Sequence, residues 1–385
     1  MKSVLTRDLK ENVKYTQPLY VDDSVFLPAD VVITKKDLDM LEKLSVMEVF
    51  TDGRPVNVSQ ETGPDALDGA ALGEPDAAVE EILNNLPNEA EGNLIFDRLE
   101  KEVKLLDGVF ELIAAKKIVK SRILWTIVAT VLQLIKKDRN SCVEFILGCN
   151  ITGFEAAKSS INTAIITALI SIELGFAETV VPEFVSAALL HDAGMLRIPK
   201  TILNKKTPLT TEEKLMIQGH SVASFHIVQD ELHYQKTVSW PVLQHHERWD
   251  GLGYPLRLSG ESIDRGACIV AVADAFEAMV SKKSYRNSMM AYHAMKTMMS
   301  ESISHFSPKA LKAFVQIMGV YPIASGVILN NNLKARVLMN NKDAPLRPIV
   351  KIISDVKGNP NNNGNVINLL TDRTLFITST FNLNS

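Results

Sequence analysis

Across residues 93–320 apolar side chains return at three- and four-residue steps, a period that commits most of the chain to α-helix. Phe96, Leu99, Val103, Leu106, Phe110 and Ile113 form one such stripe. Residues 161–174 and 182–190 continue it, the second opening on a proline, which suits a first helical turn because no intrahelical bond needs its N–H. Met289, Met290, Met295, Met298 and Met299 share helical spacing and are expected to pack in a core or an interface. The longest apolar run, residues 123–135, is broken by Thr126, Thr130 and Gln133. It falls well short of the ~20 residues a bilayer span needs. A buried helix and no membrane insertion are expected.

The periodicity changes on both sides. Before residue 54, Val13–Tyr15, Leu19–Val21 and Ser24–Leu27 read as strands, residues 35–44 as a helix and 46–50 as another strand, giving a small α+β module over residues 1–53. Residues 54–92 carry Glu61, Asp65, Asp68, Glu74, Asp76, Glu80, Glu81, Glu89 and Glu91 against the single base Arg54. Low hydrophobicity with charge of one sign buries too little surface to offset chain entropy, so this stretch is expected to be a flexible acidic linker. Beyond residue 320, the segments 326–329, 335–338, 348–353 and 375–377 read as short strands separated by Asn-rich turns, a β appendage over residues 321–385.

With 46% hydrophobic and 22% charged residues the chain has core material for a globular protein. Its net charge of -4 argues against a general nucleic-acid surface, so no nucleic-acid polymer is expected as partner. Three cysteines, Cys142, Cys149 and Cys268, make no paired framework. Reduced thiols and a cytoplasmic location are expected, and no apolar signal-peptide stretch follows Met1.

The chemistry lies in the helical part. His191 and Asp192 end an apolar run, where an ionisable pair is costly unless charged partners or metals satisfy it. His220 stands alone. Downstream comes His245-His246-Glu247-Arg248-Trp249-Asp250-Gly251-Leu252-Gly253-Tyr254-Pro255, followed by Asp274 in a further apolar run. Imidazole and carboxylate donors without a neighbouring cysteine suit a di-metal centre that activates water, with Asp192 able to bridge two cations. Glu247 and Asp250 fit orienting roles.

These residues, together with Ala273-Asp274-Ala275-Phe276, resemble the HD-GYP branch of the HD-domain phosphohydrolases. The resemblance implies a mainly α fold, with a helical HD-GYP domain over residues 93–320. It also implies two or three divalent metal ions, iron or manganese, and hydrolysis of the bacterial messenger cyclic di-GMP. One metal would take His191, Asp192 and Asp274. The second would take Asp192 as bridge with His220, His245 and His246, and Glu155 would serve a third. His191 and Asp192 would be catalytic. Gly253, Tyr254 and Pro255 would shape the substrate side, and Lys283 and Arg286 would meet phosphates. Two positions depart from the family pattern: Ser159 stands where a metal-binding His is usual, and Met195 where Lys is common. A thioether cannot donate a proton or neutralise phosphate charge. Slow hydrolysis is therefore expected. Two alternatives stay open, a catalytically degenerate signalling adaptor that binds cyclic di-GMP or a partner protein, and a hydrolase of another cyclic dinucleotide or nucleotide. A homodimer also stays open.

The composition of residues 54–92 has a measurable consequence. Limited proteolysis should cut there first; cleavage that begins between His191 and Asp274 would place the boundary wrongly.

Overall fold

The computed structural model describes residues 2–57, 89–281 and 289–383, apart from scattered positions, most of them between 18 and 47 and between 301 and 382. The helical core is built first from α1 (Glu89–Ala114), α2 (Ser121–Lys137) and α3 (Arg139–Gly148). The expected stripe on α1 buries Leu99, Val103, Leu106, Phe110 and Ile113. The run 123–135 forms α2, but only one face of it is buried: Leu124, Ile127, Val128, Val131 and Ile135 point inward and Trp125 is exposed. The expected buried helix is thus buried along one face.

Helix α4 (Glu155–Glu173) is the centre of the domain. Every residue from Ser159 to Ser171 is buried, which demands neighbours on all sides. It packs against α1, α2 and α3, and also against α5 (Val181–Leu190), α9 (Arg265–Val280) and α11 (Pro308–Met318). Two of its buried hydroxyls are satisfied within the helix: Thr163 donates to Ser159 O at 2.9 Å and Ser171 to Thr167 O at 2.7 Å. Around this axis lie α6 (Thr211–Gln218), α7 (His220–His226), α8 (Lys236–Gln244) and α10 (Ala291–Ser300). Met295 and Met298 of α10 are buried in the core. No described helix is long and apolar enough to cross a membrane.

The N-terminal part contains an antiparallel sheet of order β1-β5-β3-β4, from β1 (Lys2–Leu5), β3 (Leu19–Val21), β4 (Ser24–Leu27) and β5 (Glu48–Thr51). A second ladder pairs β2 (Val13–Tyr15) with β6 (Pro55–Asn57). Two differences from the sequence reading follow. Residues 55–57 belong to a sheet, not a linker, because β2 offers them a partner that no local pattern discloses. Helix α1 also starts at Glu89 instead of residue 93. Residues 58–88 lie outside the described residues.

The C-terminal part is a five-stranded antiparallel sheet of order β10-β9-β8-β7-β11. Its strands are β7 (Gly326–Leu329), β8 (Lys334–Met339), β9 (Ile349–Ser354), β10 (Val366–Asn368) and β11 (Ile377–Phe381). The strand expected at 375–377 begins only at Ile377. Asn330 holds the preceding residues in a loop, accepting from Phe376 N at 3.0 Å and donating to Thr374 O at 3.0 Å.

The sheet is docked twice. Toward the helices, Tyr292 of α10 stacks on Tyr321 at 5.2 Å, Arg336 meets Glu144 of α3 at 3.0 Å, and Asn340 donates to Met318 O. Toward the N-terminal part, Arg347 pairs with Asp37 at 2.9 Å, each side chain only 6% exposed. The other arm of Arg347 donates to Leu369 O, Asp37 also accepts from Thr34, and Phe376 packs on the N-terminal apolar cluster. Removing one member of a buried pair strands the other charge, at a cost of about 3–5 kcal/mol. Arg347→Ala should therefore lower unfolding stability by about that amount. Asp37→Leu combined with Arg347→Leu should recover most of it in urea denaturation. Equal losses in the single and double variants would show that the pair does not join the two parts.

Candidate metal centre

Three histidines reach the site from the ends of three helices by one device. His191 follows α5, His220 opens α7 and His245 follows α8. In each, Nδ1 lies against the carbonyl three residues back: Ala188 O at 2.7 Å, Ile217 O at 2.6 Å and Val242 O at 2.7 Å. A carbonyl only accepts, so each Nδ1 carries the hydrogen, and in the neutral ring Nε2 is left with a lone pair. Those Nε2 atoms converge. His220 Nε2 is 3.3 Å from His245 Nε2 and 3.1 Å from Asp192 Oδ1, and His245 Nε2 is 3.9 Å from that same oxygen. His191 Nε2 faces the other oxygen of Asp192 at 3.6 Å and Asp274 Oδ1 at 3.5 Å. Among the described residues it is buried without a hydrogen-bond partner.

Converging lone pairs around a carboxylate repel one another unless a cation lies between them, and first-row metals match this donor set. Asp192, His220, His245 and His246 offer atoms that all lie within 4.8 Å of one another. The adjacent His245 and His246 both contribute because α8 ends at Gln244; their rings sit 4.1 Å apart at 43°.

The framework is tight where these elements meet. A Cβ on Gly194 would lie 2.2 Å from His220 O and 2.7 Å from Ser224 N, so only glycine lets the His191–Asp192 turn press against α7. Asp264 caps α9 by accepting from Gly266 N and Ala267 N, and its own N–H donates to Gln244 Oε1 at 2.7 Å. That bond ties the end of the His245 helix to the start of the Asp274 helix.

Charge is distributed unevenly. Burial opposes protonation of His191, but the Asp192 and Asp274 carboxylates outweigh it and raise its pKa to about 9. His220 is likewise shifted up, Asp192 overcoming burial. Burial, and then the charge of its imidazole neighbours, holds His245 well below the usual histidine range and His246 down at about 3. Asp192 resists its burial because His191, His220 and His245 hold it well below the carboxylate range.

The remaining expected site residues fare differently. Tyr254 stacks on His246 at 4.8 Å, and burial, then the Asp192 and Asp274 charges, keeps its phenol protonated. Gly253 has no room for a Cβ, which would lie 2.3 Å from Arg248 N, and the Tyr254–Pro255 bond is cis. Glu155 is not brought in. It is exposed at the first turn of α4, where its carboxylate accepts from Gly153 N at 3.2 Å. Ser159, four residues on, is buried and donates to Glu277, which also accepts from Ser281 and Asn162. Lys283 and Arg286 lie outside the described residues. Met195 sits in the short turn Ala193–Arg197 beside Asp192. The carbonyls that orient the imidazoles had no sequence signal. Glu277 had one in retrospect, a carboxylate one turn beyond Asp274.

Fold and site together define a helical domain with a clustered His/Asp metal-binding centre. Residues 155–310 match the HD domain, and residues 326–385 match the KOW domain associated with the HD domain. Residues 155–310 are thus an HD domain, homologous to those of HD-GYP cyclic di-GMP phosphodiesterases. The chain is 34% identical over 180 residues (47% of this chain, 43% of the relative) to the cyclic di-GMP phosphodiesterase PA4108 of Pseudomonas aeruginosa. It is 38% identical over 156 residues (38% and 40%) to a cyclic di-GMP phosphodiesterase of Thermotoga maritima. A 3'3'-cGAMP-specific phosphodiesterase 2 of Vibrio cholerae is 32% identical over 143 residues (37% and 27%). The chain thus spans less than half the length of these relatives.

The raised His191 gives a signed expectation for the metal-free chain. Its folded pKa of about 9 lies above the unfolded value of about 6.5. Its stabilising contribution is therefore complete below pH 6.5 and is lost as pH rises through 9, and His220 acts in the same sense. His245 and His246 are neutral in both states above pH 6.5 and do not offset this. Metal competes with those same protons, so manganese affinity should rise across that window while metal-free stability falls. Parallel chemical denaturation and metal titration at several pH values check both slopes; a flat affinity would remove His191 and His220 from the ligand set.

Proposed function

We propose that the chain is a metal-dependent phosphodiesterase that opens cyclic di-GMP to the linear dinucleotide, with two divalent ions, iron or manganese. The observation that carries this is the two-sided use of Asp192. One oxygen faces His220 and His245, and the other faces His191, which also meets Asp274. In this reading His191, Asp192 and Asp274 hold one ion, and Asp192, His220, His245 and His246 hold the other. Ions bound there supply Lewis acidity, acidifying water and neutralising charge on the phosphoryl oxygens.

The protein's own groups do the rest. His191, His220 and His245, each fixed by a backbone carbonyl, present Nε2 without reorganisation. Asp192 keeps 41% of its side chain accessible, which leaves the centre open on the carboxylate side for a phosphodiester. Tyr254, held protonated beside that opening, can donate to a phosphoryl oxygen. The likeness to cyclic di-GMP phosphodiesterases supports the substrate class, and the cGAMP-specific relative makes the second dinucleotide the natural comparison.

A second reading, a binding protein with little turnover, draws on Ser159 and Met195. The Ser159 hydroxyl is engaged by Glu277, and Met195 brings no cation to the turn after Asp192. Loss of one such electrostatic contact slows turnover by about 10²–10³. The test is anaerobic purification, metal quantification, and turnover of cyclic di-GMP and 3'3'-cGAMP with manganese or ferrous iron. Slow, metal-dependent cleavage of cyclic di-GMP is expected, lost with its metals in Asp192→Ala and accelerated in Met195→Lys combined with Ser159→His. Tight binding of dinucleotide with no cleavage in either form would establish the binding protein instead, and preference for 3'3'-cGAMP would reassign the substrate.

A further inference from the structure

The segment after the paired histidines leaves the metal centre and returns to it. Chain direction reverses between His246 and Tyr254, whose N–H donates back to His246 O at 3.2 Å while the two rings stack. Gly253 makes the crossing with its α-carbon against the backbone of His246, Glu247 and Arg248. What closes this loop is Glu247. Its side chain is buried, 3% exposed, and its two carboxylate oxygens accept separately, Oε1 from Leu256 N at 2.6 Å and Oε2 from Leu258 N at 3.0 Å. Two N–H groups on either side of Arg257, whose φ is +56°, are thereby anchored to the residue next to a proposed metal ligand.

We infer that Glu247 is a positioning residue for the second metal. By holding Leu256 and Leu258 it sets the Tyr254 ring against His246, so that His246 is braced by the stacked ring. The inference rests on the metal-centre reading above, and it names a role for a carboxylate that touches no proposed ion. The chemistry is specific to two acceptors. A glutamine of the same shape offers one oxygen and one NH2, and that NH2 would face an amide N–H with nothing to receive it. A role in packing alone would leave glutamine and glutamate equivalent.

Glu247→Gln therefore separates the two. In the full chain, hydrogen exchange should show faster exchange at the amides of residues 256–258. Manganese titration should show roughly tenfold weaker binding at one of two sites, the size expected when a group that orients a ligand is lost. The other site should keep its affinity. Unchanged exchange at 256–258 would overturn the anchoring, and unchanged manganese affinity would overturn its reach to His246. A wild-type chain that takes up no manganese or ferrous iron would instead overturn the metal reading on which the inference stands. A double-mutant cycle closes the test: with Tyr254→Ala in place, Glu247→Gln should have no further effect on affinity, because the ring through which it acts is gone. Additive losses would mean that Glu247 acts by another route and would refute the proposal.

Discussion

Everything at the centre of this protein depends on three hydrogen bonds from imidazoles to backbone carbonyls. His191, His220 and His245 each meet the carbonyl three residues earlier. Helix termini leave carbonyls without intrahelical partners, and here such a residual group selects the tautomer of a nearby ring. The result is a set of lone pairs whose direction is decided by main chain rather than by side-chain packing. Asp192 then supplies the charge that makes such a convergence tolerable, and two of the four imidazoles remain neutral well below physiological pH.

The helical domain was legible because its two signals are local. The apolar stripe of Phe96 to Ile113 and the apolar runs before His191 and around Asp274 are periodic in sequence and buried in the fold. The β parts were legible only where strands are short and bounded by turn residues, as at Val13–Tyr15 and Gly326–Leu329. Residues 55–57 and 366–368 escaped because no local pattern marks them as strands; their partners in the ladders define them. The position of Glu155 escaped for a different reason: helical spacing gives its face but not its depth, and the first turn of α4 is exposed. The family resemblance supplied the ligand set as a group. The capture of Ser159 by Glu277 is a three-dimensional fact with no sequence period.

The chain's two ends belong together. The N-terminal part touches the C-terminal sheet through Arg347 and Asp37 and through Phe376, while the sheet itself leans on α3 and α10. The sheet leans on α10 through Tyr321, and α10 packs on α9, the helix of Asp274. This gives a contiguous packed route between an N-terminal module and the metal centre, one that does not pass through residues 58–88.

The cluster also has a dry floor and a wet rim. His191, His220 and His245 are 1%, 3% and 0% exposed, whereas Asp192 and Asp274 keep 41% and 20%. An ion held in such a site would be accessible on the side of the carboxylates. Loading and release would then follow the same narrow path as a phosphodiester. Under the proposed function, dinucleotide resting on the rim would slow metal exchange even where it leaves metal affinity unchanged, so the time for which the centre stays charged would lengthen with the abundance of that dinucleotide.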